Sequence, residues 1–271
     1  MIRKTARFAV PVLVLLFLYV PILMLAFYSI TDATQIGTFR NFTLKNYATL
    51  FRTEELRNMI VGTILLALLS ALIATVLGTL GAIGSFYSKK RTSSAIATVN
   101  QIPVINADVV TGFSLCVLLV VVFGIGKDTY IPLVLGHVTL CAPFVYLSVI
   151  PKLKQMDSSL YEAALDLGAT PRLALLKVVI PQILGGMVAG FSLAITLSLD
   201  DYFIATYTKP ATFDTISTYV VNATKGSHTE IKTALWALST VIFLIVLVAV
   251  VVMNVRANRD ERAALVRGNE G

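Results

Sequence analysis

EAALDLGATPRLALLKVVIP, from Glu162 to Pro181, lies between two long apolar runs and reads as helix, glycine, helix. Asp157 to Ser159 offer N-cap oxygens just before it, and Ser159 with Glu162 has the S-x-x-E spacing of a capping box. LYEAALDL is made of good helix formers, and Gly168 stands where a helix can end in a left-handed cap. Thr170-Pro171 is a second start signal, a capping hydroxyl before a proline at the first helical position. The next helix, RLALLKVV, runs straight into sequence of hydrocarbon-crossing length. A short helix is therefore expected at the foot of a membrane span, which is the geometry of a lever.

The rest of the chain supports that setting. Of its 271 residues 56% are hydrophobic and 14% charged, and the mean hydropathy is +0.82, too apolar for a soluble domain. A span needs about twenty apolar residues. Phe8 to Ile30 and Asn58 to Ser88 carry no charge, and Thr92 to Gly126 carries only Asp108. Thr129 to Pro151, Val178 to Leu199 and Thr233 to Val255 complete six expected helices. The first run follows Arg3, Lys4 and Arg7, as in a signal peptide, but its length and the lack of a small-residue cleavage site favour a retained anchor.

Orientation follows from the Lys and Arg beside the spans. With the N-terminus inside, fourteen of the 22 fall in inner segments, so both termini and the Glu162 loop are expected in the cytoplasm. The net charge of +7 then reports topology rather than nucleic-acid binding. Cys116 and Cys141 lie within spans and fit packing roles better than a disulfide or a metal site. Two outer loops have enough length for short helices, one in TLKNYATLF and one in FDTISTYVVNATKG, where Ile216, Tyr219 and Val220 have helical spacing. Ser70, Ala74 and Gly78, and the pair Gly186 and Gly190, are spaced for close helix packing, expected within this chain.

Catalytic machinery is not expected. The chain has no G-x-x-x-x-G-K-[ST] loop, no H-E-x-x-H and no G-x-S-x-G, so it should bind no ATP, cofactor or metal by itself. His137 and His228 are isolated and read as structural. Acidic residues at membrane depth are the better functional candidates, because a carboxylate there faces a cavity or a partner. Asp108 lies five residues beyond Pro103, expected to bend span three, and reads equally as a route residue or a packing and gating one. Asp200 and Asp201 end span five, with Tyr202, Phe203 and Tyr207 following. Carboxylates beside aromatic faces suit an organic ammonium ion, which gains about 0.5–2 kcal/mol over a ring. An interfacial aromatic belt would account for the same tyrosines, and for Trp236.

The Glu162–Pro181 stretch resembles the EAA motif of the membrane subunits of bacterial ABC importers: EAA, three residues, Gly, nine residues, then I-x-L-P. Glu162, Ala163, Ala164, Gly168 and Pro181 match by type and spacing, with Val178 and Ile180 in place of Ile and Leu. The resemblance implies an all-α polytopic protein of six transmembrane helices with the type I importer fold, whose Glu162 loop docks a separate ATPase. SLDDYFIA after such a loop resembles the polyamine permeases of the PotC type in the spermidine/putrescine importer family. That implies a dimeric ABC ATPase that binds the ATP, a second homologous permease completing the pore, an extracytoplasmic substrate-binding protein, and contact with membrane lipid. It also makes Asp200 and Asp201, with Asp108, Tyr202 and Tyr207, candidates beside the substrate route. Permeases for ferric iron, thiamine or phosphonates share the architecture and remain alternatives, as does an ion-coupled secondary transporter. The expected organisation is an anchor helix and outer loop over 1–57, a permease core over 58–256 with its coupling loop at 152–177, and a cytoplasmic tail over 257–271.

Overall fold

Long apolar segments in hydrocarbon must satisfy every backbone N–H and C=O internally, and the helix does so within one segment. The computed structural model describes residues 2–33, 38, 41–157, 159–225, 233–244 and 247, and among them it is all-α, with no strand beyond an isolated bridge between Thr31 and Phe42. In chain order the helices are α1 (Ile2–Ser29), α2 (Lys45–Arg52), α3 (Glu54–Tyr87), α4 (Lys90–Ile105) and α5 (Asp108–Cys116), the last continuing as a π-helix over Val117–Val122. There follow α6 (Ile131–Gln155), α7 (Ser159–Asp166), α8 (Pro171–Ala174), a π segment over Leu175–Val179, α9 (Ile180–Asp200), α10 (Phe203–Thr208), α11 (Ile216–Lys225) and α12 (Thr233–Leu244).

Among the described residues four helices are long and apolar enough to cross a membrane: Pro11–Ser29, Glu54–Tyr87, Ile131–Gln155 and Pro171–Asp200. The expected third span is not one rod. α4 and the α5 segment meet at 105°, and the break falls at Asn106 and Ala107 rather than at Pro103, which α4 carries inside its last turn. A single rod over the 35 residues from Thr92 to Gly126 would measure about 50 Å, longer than the hydrocarbon core, so a bend relieves the mismatch. Asp108 accordingly stands exposed at the first turn of α5 instead of in mid-span. The expected sixth span is described over α12 and residue 247, and its remaining residues lie outside the described ones.

The chain divides into two compact units, Met1–Arg57 with Asn222–Gly271, and Asn58–Val221. In the first, Tyr28 packs on Trp236 at 5.8 Å between ring centroids, and Tyr19 meets Phe243 edge-on at 6.5 Å. Buried Asn46 of α2 donates to the carbonyls of Ser29 and Thr31 at 2.9 and 3.1 Å, tying the short loop helix to the end of α1.

The second unit is organised on α6, packed along its length against α9 and also touching α4, α5 and α10. Val145, Val149 and Leu153 are fully buried with Ile183, Ala194 and Val179. Small residues set these approaches, as the sequence spacing implied. A Cβ on Gly78 would lie 2.7 Å from the Ala142 carbonyl oxygen, and one on Gly190 3.0 Å from Val145 Cα. Cys141 belongs to this packing, its thiol donating to the Ala194 carbonyl at 3.3 Å.

Candidate functional site

Two parts of the second unit gather the candidate residues. In the first, α7 opens on Asp157, whose Oδ1 accepts the Ser159 amide at 2.9 Å and whose carbonyl accepts the Leu160 amide at 3.3 Å. Aspartate thus acts at the entry where Ser159 and Glu162 were expected to form a capping box. Hydrogen bonds from the Ser159 side chain and then from its amide hold the exposed Asp157 carboxyl below its ordinary range.

The exit of α7 follows the sequence reading closely. Gly168 has φ +87°, its amide donates to the Leu165 carbonyl at 2.9 Å, and the Ala169 amide donates to the Ala164 carbonyl at 3.0 Å. These are the two bonds of a Schellman cap. A Cβ on Gly168 would meet no atom within 4 Å, so backbone conformation, not space, calls for glycine. Thr170 then caps α8, its hydroxyl accepting the Leu173 amide at 3.4 Å, with Pro171 at the first helical position.

Between α8 and α9 the helix widens to a π turn over Leu175–Val179, immediately before Pro181. Proline has no N–H to donate and its ring crowds the carbonyl four residues back. The wider turn lets one continuous rod, Pro171–Asp200, pass through it.

α7 has two faces. Tyr161, Ala164 and Leu165 are half-buried; Tyr161 packs on the core cluster and its ring lies 5.1 Å from Tyr87 at the end of α3, tilted by 43°. Glu162, Ala163 and Asp166 are exposed, and so are two leucines, Leu160 at 45% and Leu167 at 89%. The sequence reading gave no role to Tyr161, in the first turn of α7, or to Leu167, which follows its last residue.

The second part is the far end of α9. Asp200 is its exposed last residue, and no basic residue occupies the last turn. A carboxylate there sits at the negative end of the helix dipole, disfavoured by about 0.3–1 kcal/mol at a surface. Asp201 is different. It is 8% exposed, and its oxygens accept the Ile204 and Ala205 amides at 3.3 and 2.8 Å, capping α10. Behind it stands fully buried His137, whose Nδ1 shares a 2.8 Å hydrogen bond with Ser198 Oγ. His137 Nε2 faces Asp201 Oδ2 at 3.7 Å, too far for a hydrogen bond. His137, isolated in sequence, is thus structural in the company of α9 and α10; His228 lies outside the described residues.

The fold also packs α5, which opens with the distant Asp108, against α10. Tyr202 and Tyr207 are half-buried; Tyr207 meets Phe113 of α5 edge-on at 5.8 Å and Tyr202 meets Phe203 at 5.2 Å. α10 is held between α5 and α6, with Ile204 against both Gly112 and Gly136. Lys209, at the end of α10, is engaged by Asp214 at 3.0 Å and by the Phe213 carbonyl at 2.8 Å. Among the described residues no group of three or more His, Cys, Asp or Glu side chains could hold a metal ion.

Residues 74–262 match the family model described as "Binding-protein-dependent transport system inner membrane component". The putrescine transport system permease protein PotI of Escherichia coli K12 is 31% identical over 247 residues, covering 89% of this chain and 86% of that protein. The spermidine/putrescine transport system permease protein PotC of Haemophilus influenzae is 30% identical, covering 93% and 96%. Among solved structures, a chain of a bacterial ABC transporter involved in the import of the acidic polysaccharide alginate superposes with a TM-score of 0.72 at 20% identity, covering 94% of this chain and 95% of that one. At that identity the likeness concerns the fold.

Proposed function

The chain belongs to the binding-protein-dependent transport system inner membrane components, the multi-pass permease subunits of ABC importers, and on that premise we propose that its substrate is a polyamine, putrescine or spermidine. The observation that carries the substrate is the acidic end of α9, where Asp200 and Asp201 stand beside Tyr202 and where α5, which opens with Asp108, packs on α10 through Phe113 and Tyr207. The polyamine names of the relatives support the same reading. The alginate importer shares the fold and carries an acidic polymer, so the fold alone leaves the substrate open.

In this reading Asp200 and Asp108, both exposed, face the passing ammonium groups. A charge pair about 4 Å apart at an effective dielectric near 20 is worth about 4 kcal/mol before desolvation and screening reduce it. Asp201 adds its charge from behind while holding α10 in place, and Tyr202 and Tyr207 supply ring faces. A second, homologous permease completes the pore, and an extracytoplasmic binding protein delivers the substrate.

Both termini and α7 lie on the cytoplasmic side, and a dimeric ATPase there binds and hydrolyses the ATP. Its docking surface is the exposed face of α7, with Glu162 and Ala163 at the contact and Leu167 added to them. Ala164 and Gly168 shape the helix and its exit, and Pro181 shapes the rod behind it. ATP can shift the pore only if the nucleotide states of the ATPase interact differently with its inward and outward forms. α7 carries that difference because Tyr161 ties it to the core.

The test is uptake of labelled putrescine and spermidine by the reconstituted importer, with alginate oligosaccharide, thiamine, ferric iron and a phosphonate as competitors. Competition by polyamines alone is expected. Transport of only an anion would leave the permease assignment standing and remove the polyamine.

A further inference from the structure

The outward side of α9 is chemically divided. Its packed face is Ile183, Gly186, Gly190, Ala194 and Ser198, all buried. The exposed remainder holds Leu184 and Val188 on one flank. On the other flank Gln182, Gly185, Ala189, Ser192, Thr196 and Asp200 recur at steps of three and four residues, all exposed. Leu193 lies between this stripe and the packed face. By contrast, α3 exposes large apolar side chains along its length, Leu65, Leu72 and Leu80 among them, as a lipid-facing helix does.

The polar groups of the stripe share one further property. Gln182 Nε2 donates to the Val178 carbonyl at 3.1 Å, Ser192 Oγ to the Val188 carbonyl at 2.9 Å, and Thr196 Oγ1 to the Ser192 carbonyl at 3.1 Å. A hydroxyl has one hydrogen and two lone pairs, so once its hydrogen is turned inward it presents only acceptors outward. The Gln182 amide bonds the backbone through one of its two N–H hydrogens and keeps its carbonyl oxygen and the other hydrogen available. With Asp200 at the end, the row offers oxygen acceptors and a negative charge.

We propose that this flank of α9 lines the translocation conduit and that its Ser192, Thr196 and Asp200 form an acceptor-only track for linear ammonium substrates, with Leu184 and Val188 turned to lipid or to the partner permease. The inference rests on the polyamine reading above and names the residues that continue its route beyond the acidic end of α9. Ser192, Thr196 and Asp200 are spaced by four residues, about 6 Å along the axis. An extended four-carbon diamine, with five bonds of about 1.5 Å between its nitrogens, spans about the same distance. One ammonium can therefore reach the next acceptor before the other leaves the last. Gly185 and Ala189 add no bulk, and a Cβ on Gly185 would meet no atom within 4 Å. A phosphate or carboxylate substrate would find no hydroxyl hydrogen to accept from Ser192 or Thr196.

The test uses the assembled importer in proteoliposomes, with Cys116 and Cys141 replaced. Single cysteines at Ser192, Thr196, Leu184 and Val188 are treated with 2-(trimethylammonium)ethyl methanethiosulfonate and with anionic 2-sulfonatoethyl methanethiosulfonate. Rates are normalised to each reagent's reaction with a free thiol. Ser192→Cys and Thr196→Cys should react at least about tenfold faster with the cation, as a negatively lined cleft concentrates it. Leu184→Cys and Val188→Cys should be inert. Thr196→Val should slow putrescine uptake about tenfold, as expected for a lost hydrogen bond to a charged group, while Thr196→Ser should restore it. Equal inertness at all four positions in every nucleotide state, or labelling at 192 and 196 without charge preference, overturns the track. Parental uptake by Thr196→Val overturns it too. If the unsubstituted importer carries no polyamine, the polyamine reading falls, and the labelling pattern still decides whether the flank is a cation-lined conduit.

Discussion

The Tyr161 ring lies 5.1 Å from that of Tyr87, tilted by 43°, so the short helix α7 rests on the end of the 34-residue helix α3 through one aromatic contact. Tyr161 also packs on the core cluster centred on α6, so a force on the exposed side of α7 meets the body of the permease at this residue.

Tyr161→Ala should therefore separate docking from coupling. An aromatic pair contributes about 0.5–1.5 kcal/mol beyond its buried area. The variant is expected to insert and to retain the ATPase on purification, because the outward face of α7 is unchanged. Binding-protein-stimulated ATP hydrolysis should drop several-fold, and Tyr161→Phe should restore it. Parental stimulation in Tyr161→Ala would mean that the contact transmits nothing.

Gly168 offers a graded test of backbone conformation. Its surroundings are empty and its φ is +87°, so substituents should rank by their tolerance of the left-handed region. Gly168→Asn should be mildest and Gly168→Ala intermediate, with a penalty of about 1–2 kcal/mol. Gly168→Val should be worst. The readout is the fraction of ATPase that co-purifies with the permease at matched membrane abundance. Equal loss in all three would point to a packing requirement instead.

Asp200 and Asp201 should respond in opposite senses. Asp200→Asn removes a charge from the unfavourable end of α9 and should leave the melting temperature unchanged or slightly higher, while lowering polyamine uptake. Asp201→Ala removes the α10 cap from a buried site and should cost about 0.5–2 kcal/mol, seen as a lower melting temperature. Uptake at the parental rate in Asp200→Asn and Asp108→Asn alike would remove these carboxylates from the route.

Topology can be checked at two exposed positions. In a cysteine-free background, Leu167→Cys should resist an impermeant thiol reagent added to intact cells, whereas Thr212→Cys, in the loop after α10, should label. Labelling of Leu167→Cys from outside would reverse the orientation and with it the ATPase contact.

The sequence by itself determined what depends on near neighbours along the chain. Apolar runs marked the long helices because a segment in hydrocarbon must bond its own backbone. The Gly168 cap and the Thr170-Pro171 start were legible because caps are made within a turn or two. The bend was legible only in part: a 35-residue apolar run is too long for one rod, but Pro103 pointed to a break that falls at Asn106 and Ala107. A proline weakens a helix at one carbonyl, whereas the packing of α4 and α5 against α6 sets where the chain turns. Tertiary structure alone gave the adjacent Asp200 and Asp201 different surroundings, one outward at a helix end and one turned in as the α10 cap before His137. It also packed α5, which opens with Asp108, against α10, and left one flank of α9 polar and uncovered. Those outcomes depend on which faces meet in space, and helical periodicity lists faces without saying what each will meet.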